Sequence, residues 1–121
     1  MYHVTDARAL DRIVEGGLRP SSDEHSEHVY LFDDIVAALG YAERYHLAPR
    51  LLDNGIAIHP TGRPVLLYVE GDGLELEADP MRPVLTNAWR TSDLIDPERL
   101  VASALLSYDG VSVTTSRPRR L

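Results

Sequence analysis

One histidine and two tyrosines carry the spacing in this chain that invites chemistry. His3 lies in the β-rich tetrad Tyr2-His3-Val4-Thr5, Tyr30 lies in a second such tetrad, Val29-Tyr30-Leu31-Phe32, and Tyr41 follows Tyr30 by eleven positions. A neutral imidazole both donates and accepts hydrogen bonds, and a phenol offers a flat apolar face with a polar tip. A histidine on one strand and a tyrosine on a second, separated by a helix, can face each other across a cleft, with Tyr41 reaching it from the next helix. Arg90 adds a planar fork suited to a phosphate, or to an ion pair with Asp93.

The remaining polar residues narrow the chemistry. Glu70 ends a strand beside a glycine-rich turn, and Glu75 and Glu77 share one face of an alternating segment. Each is an acid within reach of a cleft, but solvated surface is the plainer role. His25 and His28 stand at His-x-x-His spacing amid Asp23, Glu24 and Glu27. Their polar loop offers no rigid element to hold a metal, so no metal site is assigned. His46 and His59 stand singly and are read as exposed. The chain has no cysteine and no lysine, which removes thiolate nucleophiles, thiolate zinc sites and Schiff-base chemistry. There is no phosphate-binding loop of the Gly-x-x-x-x-Gly-Lys type.

The elements that must position these residues follow from periodicity. Leu10, Ile13 and Val14 share one helical face, so a helix is predicted over residues 6–15, with Asp6 as N-cap and Gly16-Gly17 as its stop. Residues 19–28 are polar and aperiodic and read as an exposed loop. Asp33 or Asp34 can cap a second helix from Ile35 to about His46, buried along Ile35, Ala38, Leu39 and Ala42 and closed by Pro49. Val65-Leu66-Leu67-Tyr68-Val69 is nearly all apolar, as a central strand is. Residues 74–79 alternate, residues 88–92 form another strand, and a hairpin over 105–113 turns at Asp109-Gly110. Residues 96–100 read as a turn entering a strand or a single helical turn.

Helices early and strands late describe one α+β domain over residues 1–121, with a mixed or split sheet. At 121 residues, 44% apolar and 26% charged, the chain is an ordinary globular size and composition. No apolar run approaches the length of a bilayer span and no secretory leader is visible, so a reducing cytoplasm with no membrane partner is the expected setting. The formal charge of −7 disfavours sequence-blind attraction to a nucleic-acid backbone. The basic cluster Arg117-Pro118-Arg119-Arg120 reads as a frayed tail.

The first tetrad, the helix ending Gly17-Leu18-Arg19-Pro20, and Val29-Tyr30-Leu31-Phe32-Asp33 with Tyr41 resemble the opening motifs of the ADP-ribosyltransferase superfamily. The likeness is to poly(ADP-ribose) polymerases and diphtheria-toxin-type transferases. It covers roughly the first 45 residues well and the rest in outline. It implies split mixed sheets with two N-terminal helices around an NAD cleft. In that reading His3 contacts the ribose, the Val4 backbone holds the nicotinamide amide where the family has glycine, and Tyr30 and Tyr41 stack on the ring. Thr5 and Arg90 join the NAD-binding set. Leu94-Ile95-Asp96-Pro97-Glu98 resembles a family loop, and counting back from it puts Ala88 at the catalytic glutamate, lost by decay or by deliberate substitution.

The resemblance thus implies mono-ADP-ribosyl transfer from NAD to a macromolecular acceptor, protein or nucleic acid, by a bacterial or phage toxin or effector with an antitoxin partner. The same segments also resemble RNA 2′-phosphotransferases, which share the fold but carry a histidine where Tyr30 stands and bind phosphates with arginines. A third reading is a catalytically inactive protein that kept the nucleotide cleft.

Overall fold

The computed structural model describes residues 1–20, 28–80 and 87–121. In chain order it contains β1 (Tyr2–Asp6), a 3-10 turn (Ala7–Ala9), α1 (Leu10–Gly16), β2 (Val29–Phe32) and α2 (Ile35–Ala42), which continues into a π-helical turn (Glu43–Leu47). There follow β3 (Arg50–Leu51), β4 (Ala57–Ile58), β5 (Pro64–Val69), β6 (Glu77–Ala78), β7 (Ala88–Thr91), a 3-10 turn (Pro97–Arg99), β8 (Leu100–Tyr108), β9 (Val113–Thr115) and β10 (Arg119–Arg120).

Local chemistry explains the helix ends. The Asp6 carboxylate accepts from the Arg8 backbone N–H at 2.8 Å, so it caps the 3-10 turn that leads into α1 rather than the α-helix itself. Gly17 stops α1 with φ 83°, and its N–H donates to the Ile13 carbonyl at 2.7 Å. The choice of cap for α2 falls to Asp34, whose side chain accepts from Val36 N–H. The helical path then runs to Leu47, but its last five residues widen into a π-turn.

Seven strands pair in the order β10-β8-β5-β1-β2-β7-β6, and β9 adds to β8 to complete an eight-stranded sheet. Side-chain alternation gives the sheet two faces. On one, Val29, Leu31, Val65, Leu67, Val69 and Leu100 pack with Ile13 of α1 and with Leu18 and Ile95. On the other, Val4, Phe32, Leu66, Ala88 and Leu106 pack with Ala38 and Ala42 of α2. β5 feeds both cores, which is why its sequence is apolar without alternation. No helix among the described residues is long and apolar enough to cross a membrane.

The α+β class agrees with the sequence; the sheet itself differs. Every strand pair in the described residues is antiparallel, so the sheet is not mixed. It is hydrogen-bonded throughout, with its weak seam between β1 and β2. The alternating stretch 74–79 pairs only over Glu77–Ala78. β8 starts at Leu100, earlier than its pattern suggests, because Ala102, Ser103 and Ala104 face β5 with small side chains rather than large apolar ones. The arginine-rich tail is a strand, Arg119 and Arg120 pairing with Ser103 and Ala102. The hairpin of β3 and β4 lies in a stretch with no alternating signal of its own. His25, Asp23, Glu24 and Glu27 lie outside the described residues.

Candidate functional site

The seam between β1 and β2 organises the site. β1 pairs with β5 at five successive positions, from Tyr2 to Asp6, but with β2 only at Tyr2↔Phe32. Beyond that pair the ladder stops. Met1 O and Ala7 N bond to Val69 and Arg63 on the β5 side, so odd-numbered residues of β1 turn their backbone groups to β5 and even-numbered ones turn theirs to β2. Val4 therefore turns its N–H and C=O toward β2, where the β1–β2 ladder has no pair.

His3 bridges the two strands. Its Nδ1 lies 2.7 Å from the Tyr30 carbonyl oxygen. A carbonyl only accepts, so Nδ1 carries the proton and Nε2 is left as an acceptor on a neutral ring. Burial pushes the His3 pKa down, the Tyr30 hydrogen bond opposes that shift, and the nearby charge of His46 adds to it. The site thus keeps an uncharged imidazole. His46, which stands alone in sequence, is half-buried and itself lowered by desolvation, with Asp6 acting against the shift.

On the α1 side of the sheet a cleft of about 910 Å³ opens beside His3 and Thr5. Its opposite wall is the end of α1 and the chain that follows, Gly16 to Pro20, with Arg12, Glu15 and Arg19 among the lining residues. Leu18 is held there by a two-way backbone bridge to Ile95, at 2.9 Å in each direction. Two arginines that the sequence did not single out, Arg12 and Arg19, line this cleft beside one acid, Glu15. Arg12 and Arg19 belong to different local structures, and no periodicity links them.

The two tyrosines share the other face with Val4. Tyr30 neighbours His28, ring centroids 6.4 Å apart. Tyr41 packs between Phe32 at 5.3 Å, Tyr45 at 4.9 Å and His46 at 5.6 Å. His3 consequently meets Tyr30 through the main chain rather than ring to ring, because strand alternation sends their side chains to opposite faces.

Ala88 pairs with Phe32 and is 3% exposed within the apolar core under α2. The position expected for a catalytic glutamate is a packed one, and it does not line the cleft beside His3. Arg90 pairs with Glu77, not with Asp93, and Glu77 also lies 3.6 Å from His28. The register Tyr30↔Arg90↔Glu77 places the three in one transverse row. Glu77 is thereby a carboxylate in one row with Tyr30, two strands away, though its alternating segment suggested only solvated surface. No cluster able to hold a metal occurs among the described residues.

Compared with protein-family models, with curated proteins and with solved structures, the chain matches none.

Proposed function

We propose that this chain is an NAD-dependent ADP-ribosyltransferase-type domain whose nicotinamide slot is the seam between β1 and β2. The carrying observation is that the β1–β2 ladder has a single pair, Tyr2↔Phe32, after which Val4 has no ladder partner on β2 and His3 bridges the two strands through the Tyr30 carbonyl. One donor and one acceptor on the same residue complement a primary carboxamide, which is the polar group of nicotinamide. The free acceptor nitrogen of His3 suits a ribose hydroxyl. Arg12 and Arg19, which line the cleft on the His3 face together with Glu15, supply positive charge for a diphosphate; Tyr41, on the opposite face with Val4, would reach the ligand only at the seam itself.

In the transfer, the bond between nicotinamide nitrogen and ribose C1′ breaks and its electron pair leaves with nicotinamide. A nucleophile of the macromolecular acceptor then bonds to C1′ and gives up its proton. The intervening positive charge calls for a carboxylate. Glu77, in the row of Tyr30 and Arg90, takes that place in this reading, since residue 88 is core. RNA 2′-phosphotransfer is the second reading, and the pair of cleft arginines is the observation that favours it.

Titration calorimetry of the unaltered chain with NAD tests the proposal, with His3→Ala and Tyr41→Ala weakening binding at least tenfold while circular dichroism is kept. No heat at millimolar NAD, or affinity unchanged in both variants, overturns it. Labelling of an acceptor from NAD that is lost in Glu77→Gln separates transfer from mere binding. Release of a 2′-phosphate from RNA establishes the second reading instead.

A further inference from the structure

Far from the seam in sequence, the hairpin of β3 and β4 is built in a way the core does not explain. Residues 49–61 are all exposed, and the pair forms its own two-stranded sheet, apart from the main one. Its turn is well made: Gly55 N–H donates to Leu52 O at 2.9 Å with φ 82°, and Ile56 N–H donates to the Asn54 side chain at 3.1 Å. Yet its side chains are apolar. Leu51 is 73% exposed, Ile56 57% and Ile58 45%. Pairing of Arg50 with Ile58 and of Leu52 with Ile56 gathers Leu52, Ile56 and Ile58 on one face with Arg50.

An isolated hairpin in water is marginal, and exposed strand edges are ordinarily blunted with charge or proline. Here the described ladder leaves the outer edge of each strand open, and the side chains above those edges are aliphatic. Along the chain, the stretch that carries the hairpin runs against the charge of the molecule, with the Asp6 carboxylate accepting from Arg63 N–H at 3.1 Å at its end. Residues 44–63 hold three arginines and one aspartate, in a chain where acids outnumber arginines 19 to 12. Just before the hairpin, Arg44 lies over the Tyr45 ring at 5.5 Å, and Tyr45 is itself exposed.

We infer that the β3–β4 hairpin is a docking edge for an extended, acidic and apolar segment of a partner protein, which adds a strand to it. The open edge supplies main-chain hydrogen bonds, Leu52, Ile56 and Ile58 take alternate apolar side chains, and Arg44, Arg50 and Arg63 attract the intervening acids. The inference does not depend on what the seam binds.

The test uses the full chain and two synthetic peptides of alternating residues, valine with glutamate and valine with lysine, each fluorescently labelled. The glutamate peptide binds at least tenfold more tightly than the lysine peptide, weakens with added salt, and shifts amide resonances confined to residues 44–63. The double variant Ile56→Ser/Ile58→Ser and the single variant Arg50→Glu each weaken it at least tenfold, and exposed positions such as these leave the fold intact. Equal binding of the two peptides, no binding, or shifts elsewhere overturn the inference. So does a single-stranded oligonucleotide that binds more tightly at the same residues, or concentration-dependent self-association that Ile58→Ser abolishes.

Discussion

His3 carries the first expected outcome because its protonation state is tied to its place in the seam. Its pKa is lowered in the folded chain, chiefly by burial, from an ordinary value of 6.5. Below that value the unfolded chain binds more protons than the folded one, so stability is complete above pH 6.5 and is lost as pH falls through the folded pKa. His46 shifts the same way and adds to the loss. Asp6, held low by Arg8, contributes stability that disappears only below the ordinary carboxylate value of 3.8, outside this window. Urea midpoints measured from pH 7 to pH 5 therefore fall for the unaltered chain and fall less for His3→Asn; parallel slopes would refute the buried neutral imidazole. Ala88→Glu places a charge among Phe32, Ala38 and Ala42 and is expected to cost about 3–5 kcal/mol. If that variant instead keeps its urea midpoint and gains NAD turnover, residue 88 belongs to the site after all.

At the level of elements, three glycines behave differently. Gly17 has φ 83°, and a Cβ there would collide with the Ile95 carbonyl, the partner of Leu18 across the bridge that shapes the cleft wall. Gly17→Ala is expected to lose at least ~2 kcal/mol and to weaken ligand binding in the cleft. Gly55 also has φ 82° but meets open space, so Gly55→Ala costs about 1 kcal/mol and leaves the cleft unchanged. Gly40 sits inside α2 with nothing within 4 Å, and Gly40→Ala should stabilise by ~0.5–1 kcal/mol. Thermal melts of the three, read with calorimetry on the cleft, check the ordering. A Gly17 variant as tolerant as the Gly55 one would show that the bridge to Ile95 is dispensable.

The main sheet carries a core on each face, and β2, β5 and β8 each feed both. Leu66 faces the core under α2 and Leu67 the core under α1; both are fully buried. Truncating either to alanine is expected to cost ~2–5 kcal/mol. Since the two cores are joined through three strands of one sheet, both variants should unfold in a single transition, with tryptophan fluorescence and circular dichroism coinciding. Trp89, whose Nε1 donates to Asp33 at 2.9 Å, is the chain's single fluorescent reporter of that kind. Separate transitions for the two signals would show that the cores fold independently.

Short-range chemistry in the chain determined the helices, their caps, the central strand and the order of the elements, because each rests on neighbours within a few residues. Gly17 stops α1, Asp34 caps α2 and Pro64–Val69 is buried on both faces, as their local patterns require. The candidate positions His3, Val4, Tyr30 and Tyr41 were also legible, as residue types on named elements. Only tertiary structure decided how they meet. Strand register sent His3 and Tyr30 to opposite faces, joined them through a backbone carbonyl, buried Ala88 against Phe32, and turned Arg90 to Glu77. Leu18, beside Arg19 in the cleft wall, was fixed by its bridge to Ile95, a contact between residues 77 positions apart that no local pattern encodes.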